Sequence, residues 1–173
     1  MYKKHFSKFQ CREKGITLIE VIIATFILLV AIVGSYLVFT QIFMATFLAS
    51  DRLVASYLGQ EGIEVIRNIR DTNWISGVAL NEKVATCSSG CQVDYKTGTP
   101  EDAQADLTPY NETPLNIDTN GFYTYEPGTP TKFKRKITIT YGTGKLDVLV
   151  KVLWDARGQS YSFQAEEILY NWR

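Results

Sequence analysis

The chain is expected to fold as an α+β protein, with a long N-terminal helix packed on a C-terminal antiparallel β-sheet. Three observations lead there. Residues 21–50 hold 30 consecutive positions without a charged side chain. Residues 54–69 then carry apolar side chains at three- and four-residue steps, the spacing of one helical face. From residue 133 onward apolar and polar side chains alternate with period two, the spacing of half-buried strands.

The helix is read first. No proline occurs before Pro100, so nothing strongly breaks a helix between residues 16 and 75. Residues 16–39 match the roughly 20 apolar residues that cross about 30 Å of hydrocarbon. Beyond them Val54, Leu58, Gly62, Val65, Ile66 and Ile69 form one stripe, widened by Leu53 and Tyr57. Glu64 with Arg67, and Arg67 with Asp71, are helix-spaced charge pairs on the wetter side. One helix is therefore expected over residues 16–71, about 80 Å long at 1.5 Å per residue. Gly34, Gly59 and Gly62 could loosen it, and Gly62 equally suits close approach by another segment.

Asn73-Trp74 and Ser76-Gly77 read as the helix exit. Residues 72–173 then form the exported part, in which 78–132 is loop-rich and punctuated by glycine and proline. Short strands are expected there at 83–87, 91–96 and 122–125. In the last third, Phe133, Arg135, Ile137, Ile139 and Tyr141 alternate with Lys134, Lys136, Thr138 and Thr140. Leu146, Val148, Val150, Val152 and Trp154 alternate with Asp147, Leu149, Lys151 and Leu153. A third strand at about 161–170 completes an antiparallel meander over 133–172, one face of which can cover the amphipathic half of the helix.

The N-terminal edge of the apolar run carries the most specific pattern, Lys14-Gly15-Ile16-Thr17-Leu18-Ile19-Glu20. The only charge between Lys14 and Asp51 is Glu20. A carboxylate in hydrocarbon costs about 2.5–3.5 kcal/mol on insertion scales, so it asks for a partner. The basic residues ahead of the span place residues 1–15 in the cytoplasm and the chain beyond residue 50 outside. A conventional secretory signal has a shorter apolar region of about 7–15 residues. A plain single-pass anchor explains the length of the run but neither Gly15 nor Glu20.

This pattern resembles the class III signal peptides of type IV pilins and pseudopilins, in which Gly is followed by a bulky apolar residue, usually Phe, and then Thr-Leu-Ile-Glu. Ile16 stands at the Phe position. The resemblance implies a leader over residues 1–15, cleavage after Gly15 by a membrane-embedded prepilin peptidase, and methylation of the new N-terminus at Ile16. Lys14, Gly15 and Ile16 are then the processing residues. Glu20 becomes the assembly residue, meeting the Ile16 ammonium group of a neighbouring helix in a filament. The segment from Tyr57 to Asp71, with Val152-Leu153-Trp154 and Leu169-Tyr170-Asn171-Trp172, looks like minor pilins of the type IV pilus modification (PilV-like) group. Implied partners are other pilins or pseudopilins, the prepilin peptidase, an inner-membrane assembly platform and membrane lipid. A minor pseudopilin of type II secretion and a membrane-anchored binding domain that never polymerises are the alternative readings.

Charge and cysteine usage fit export. The whole chain is neutral, with 18 basic and 18 acidic residues. Removing residues 1–15 takes away five basic residues and one acidic residue, leaving 158 residues with 13 basic and 17 acidic side chains, a net charge of −4. No nucleic-acid footprint is expected from that balance. Cys11 would depart with the leader, leaving Cys87 and Cys91 to close a hairpin by a disulfide. A zinc site lacks ligands, because the only histidine is His5 in the leader and there is no second cysteine pair. Residues 116–121, Asn-Ile-Asp-Thr-Asn-Gly, begin like a calcium loop, but Pro127 stands where the closing Glu belongs, and Asn-Gly favours a turn. Trp74, Trp154 and Trp172 are read as core or sheet-edge residues. Lys134 and Lys136 are read as a solvated face. No nucleophile elbow, phosphate loop or paired-carboxylate motif stands out, so no catalytic residue, metal or cofactor is expected.

Overall fold

A computed structural model describes residues 15–98 and 107–171. Residues 1–14, with His5, Cys11 and Lys14, lie outside the described residues, as do Pro100 and Trp172. The chain divides into an N-terminal unit, Met1–Phe47, and a second unit, Leu48–Arg173.

A single helix, α1 (Leu18–Ser76), contributes to both units. It stops beyond the expected Asp71 because its end is built as a Schellman motif. The Val78 amide donates to Asn73 O at 3.1 Å and the Gly77 amide to Trp74 O at 3.2 Å. Gly77 sits at φ 71°, a conformation that costs a glycine nothing. Buried Asn73 fixes this exit by donating from Nδ2 to Glu82 O at 2.9 Å.

After the helix, a short 3-10 turn (Ala85–Ser88) leads into β1 (Cys91–Gln92), β2 (Thr108–Pro109), β3 (Asn116–Ile117), β4 (Tyr123–Thr124) and β5 (Thr129–Pro130). Three long strands follow: β6 (Phe133–Gly142), β7 (Lys145–Ala156) and β8 (Gln159–Tyr170). Residues 83–87, expected as a strand, are turn and 3-10 helix instead. The expected strand 91–96 survives only as Cys91–Gln92, because the Asp94 side chain bonds the amide of Lys96 and the hydroxyl of Thr97 and turns the chain. The Cys87–Cys91 disulfide forms, but it ties a 3-10 turn to β1 rather than closing a hairpin.

The main sheet is antiparallel with strand order β2-β1-β6-β7-β8, two strands more than the meander read from the sequence. The extra strands come from short stretches too brief to show a period. A small second sheet has order β4-β3-β5. Tyr125, just past β4, ties it to the main sheet: its Oη donates to Arg135 O at 3.1 Å, and burial pushes this phenol up to about 12.

Within the second unit the helix packs on one face of the main sheet. Ala55, Leu58, Ile63, Ile66 and Ile69 meet Ile137, Leu146, Val148, Val150 and Val152 in one core. Leu53 and Tyr57 do not join it; both are more than half exposed. The close approach depends on Gly59 and Gly62. A Cβ on Gly59 would lie 2.8 Å from Phe163 Cε1, and one on Gly62 would lie 3.1 Å from Val150 Cγ1 and 3.2 Å from Ile137 Cδ1. Gly62 is therefore a contact point and not a loosening of the helix.

Arg135 is the feature the alternation concealed. It occupies a core-facing position of β6 with 0% exposure. Its Nη1 donates to Leu58 O on the helix at 2.9 Å and its Nη2 to Val93 O at 2.5 Å. Nη1 also lies 3.3 Å from Glu61 Oε2. A planar guanidinium can serve helix, sheet and loop at once, which an ammonium cannot. On the flank, Arg67 pairs with Glu64 as expected. It does not pair with Asp71, which is taken by Arg70 at 2.6 Å; Arg67 instead grips Glu167 of β8 at 2.6 and 2.7 Å.

Candidate processing and assembly segment

The segment that the sequence singles out lies at the start of α1. Gly15 has no atom within 4 Å of where a Cβ would stand, so the described structure places no packing demand on it. Ile16 follows, 75% exposed. Thr17 begins the helix. Its carbonyl accepts from Val21 N at 3.3 Å, and its Oγ1 accepts from Glu20 N at 3.3 Å. Thr17 is thus the helix N-cap, and Glu20 stands at the third helical position.

This role for Thr17 is absent from the sequence reading above, although a signal was present. Thr-x-x-Glu ahead of an apolar run is the capping-box spacing. The cap satisfies one of the helix's orphan amides, and Glu20 lies where the positive end of the helix dipole favours an acid. Gly15, Ile16 and Glu20 therefore occupy the last uncoiled residues and the first turn. A cut after Gly15 would fall outside the helix and leave the Thr17 cap intact.

Past Glu20, side chains on every side of the helix are exposed: Ile22, Phe26, Leu29, Val33, Leu37 and others lie between 52% and 65%. A helix apolar all round belongs in an apolar medium. The helix is long and apolar enough to cross a membrane. Several of its hydroxyls bond backbone carbonyls one turn back, as hydrocarbon favours. Thr25 Oγ1 donates to Val21 O at 2.9 Å, Ser35 Oγ to Ala31 O at 2.8 Å, and Thr46 Oγ1 to Ile42 O at 2.9 Å. The segment offers anchorage and lateral helix packing.

Elsewhere, the residues weighed for metal chemistry are in structural use. Asp118 Oδ1 accepts from Asn120 N at 2.8 Å and Phe122 N at 2.9 Å, and Oδ2 accepts from Tyr95 Oη at 2.9 Å. The Phe122 amide bond, with the other donors, holds this carboxyl below its ordinary range. The 116–121 stretch is thus β3 followed by the turn into β4, and Asp118 closes that turn. Lys134 and Lys136 lie partly exposed on the face of β6 opposite the helix. Trp154 is buried against Tyr161 and Phe133, whereas Trp74 is half-exposed.

The fold and this segment define a class: a chain with one membrane-capable N-terminal helix, continued into an α+β domain, in a pilin-like architecture. Residues 10–36 match the sequence model of the prokaryotic N-terminal methylation motif. That match supports a type IV pilin- or pseudopilin-like substrate of a prepilin peptidase. No curated protein and no solved structure matches the chain.

Proposed function

We propose that the chain is a structural minor pilin or pseudopilin, cut after Gly15, methylated on Ile16, and assembled into or priming a type IV pilus-like filament. The observation that carries the reading is the methylation motif over residues 10–36, set on a helix whose only charge before Asp51 is Glu20. In this reading the precursor waits in the inner membrane as a single-pass protein, leader inside and second unit outside. The PilV-like stretch from Tyr57 to Asp71 favours the minor-pilin branch over a secretion pseudopilin.

Cleavage leaves an ammonium group on Ile16, outside the first turn that holds Glu20. Each ion is costly when buried alone, and pairing them between neighbouring helices offsets much of that cost. A single buried polar pair can fix register between helices, as it does in coiled coils. The role is assembly, without a catalytic step.

N-terminal mass analysis of membrane and sheared-fibre fractions tests this. The expected product begins at N-methylated Ile16 and is present in the fibre fraction. Protein that keeps its leader and stays in the membrane would overturn the proposal and leave an anchored domain.

A further inference from the structure

The two edges of the main sheet are unlike. β2 is two residues long and ends in Pro109, which has no amide to donate, so that edge offers a neighbour little. β8 pairs with β7 one to one from Gln159 to Tyr170, without a bulge, a proline or a lysine. Its other side has no strand beside it among the described residues. The one charge it turns inward, Glu167, is gripped by Arg67 and does not guard the edge. The pairing also fixes which main-chain groups face outward. The β7–β8 turn has two residues, Arg157 at φ 54° and Gly158 at φ 76°, a primed turn that closes on the pair Ala156 and Gln159. The odd-numbered residues of β8 therefore bond β7, and the Asn171 amide keeps that parity by donating to Gly144 O at 2.8 Å. The even-numbered ones turn their amides and carbonyls away from β7. Arg70 Nη1 reaches the last of these carbonyls, Tyr170 O, at 3.3 Å.

We propose that a strand of a different polypeptide, carrying a basic side chain, adds to this edge between Ser160 and Ile168. A row of main-chain donors and acceptors at strand spacing is matched position by position by another main chain. The basic residue follows from the side chains. Even-numbered side chains lie on the sheet face away from the helix, where Glu166 and Ile168 line a groove of about 480 Å³ with Thr138, Thr140, Asp147 and Leu149. Lys145 Nζ donates to Asp147 Oδ1 at 2.9 Å, whereas exposed Glu166 has no ion pair among the described residues. A lysine or arginine on the added strand would lay its stem over Ile168 and bring its charge to Glu166. On the helix side the strand would meet Phe163 and Ala165, which are only partly buried, so its alternate residues are apolar. A second copy fits poorly, because β8 holds Glu166 and Glu167 and no cation, and pairing two of them adds acid to acid. The inference does not rest on processing at Gly15.

The test uses the full chain in nanodiscs, with amide hydrogen exchange read residue by residue by NMR. The probe is the acetylated and amidated peptide Thr-Val-Lys-Val-Thr-Val, and its counterpart carries glutamate in place of lysine. At saturation the lysine peptide is expected to slow exchange roughly tenfold or more at Ser162, Gln164 and Glu166, while Phe163 and Ala165, already bonded to β7, change little. It should bind about fivefold more tightly than the glutamate peptide, and Glu166→Lys should reverse that preference. Gln164→Pro removes an outward amide that β7 does not use and should weaken the lysine peptide roughly tenfold. Should Gln164→Pro fail to fold, the exposed change Glu166→Lys still decides. No saturable slowing, or slowing spread equally over odd- and even-numbered amides, overturns the proposal. Equal binding of the two peptides overturns the basic residue. Slowing of the same even-numbered amides that grows with protein concentration, without peptide, assigns the edge to a second copy and overturns the different polypeptide.

Discussion

Arg135→Met is expected to destabilise the second unit by about 3 kcal/mol. The substitution keeps much of the volume and removes the guanidinium. Two charge-assisted bonds disappear, to Leu58 O at 2.9 Å and Val93 O at 2.5 Å. Bonds to charged groups are worth about 1.5–3 kcal/mol each. The change also strips Glu61 of its counter-ion. That share is smaller, because the Glu61 side chain keeps 31% of its exposure and water screens it. Methionine recovers some apolar packing, which holds the total near the low end of the 3–5 kcal/mol seen when one partner of a buried pair is removed. Against a domain stability of about 5–15 kcal/mol the loss is large. Guanidinium unfolding of the full chain in detergent, followed by the fluorescence of buried Trp154, should show the midpoint fall. Arg135→Lys keeps the charge but not the fork and should fall between the two. Adding Glu61→Gln to Arg135→Met should cost less than the two single losses together. A loss under about 1 kcal/mol for Arg135→Met would refute the view that this residue ties helix, sheet and loop.

Four further outcomes follow from the same contacts. Gly62→Leu should cost about 1–3 kcal/mol by overpacking against Val150 and Ile137, despite a gain of up to about 1 kcal/mol in helix propensity; Gly34→Ala, which meets nothing within 4 Å, should show no such loss in the same melts. Opening the Cys87–Cys91 bridge by Cys87→Ser with Cys91→Ser should cost about 2 kcal/mol, read as a shift in midpoint, with a two-hydrogen mass difference on reduction of the parent. Asp118 has a folded pKa below its unfolded value, so its contribution is complete above about pH 4 and is lost as pH falls through the folded value. Asp118→Asn should therefore flatten the acid limb of the stability profile measured by denaturant midpoints. Glu20→Ala should leave membrane insertion and cleavage after Gly15 largely intact while reducing incorporation into fibres; normal incorporation would remove the pairing role.

The sequence determined the elements whose signal is local. An uncharged run, a stripe at helical spacing and long period-two strands each report which side chains must leave water, and these define α1, β6, β7 and β8. The methylation motif was equally legible, since it is carried by consecutive residues, and Thr17 was there to be read as the cap. The tertiary structure alone decided what depends on residues distant in the chain. Strands β1 and β2 exist because β6 offers an edge, not because two residues show a period. Arg135 sits in an apolar alternation, and only the carbonyls of Leu58 and Val93 with Glu61 make that burial tolerable. Asp71 and Arg67 are spaced to pair on a helix, yet Arg67 turns to Glu167 because packing brings β8 within reach. A cavity beside Glu61 likewise draws on three separate segments, with Tyr57, Tyr95 and Phe122 coming from different parts of the chain. Local patterns fix which surfaces must be buried; which surfaces meet, and which charges then face each other, is settled only when the helix lies down on the sheet.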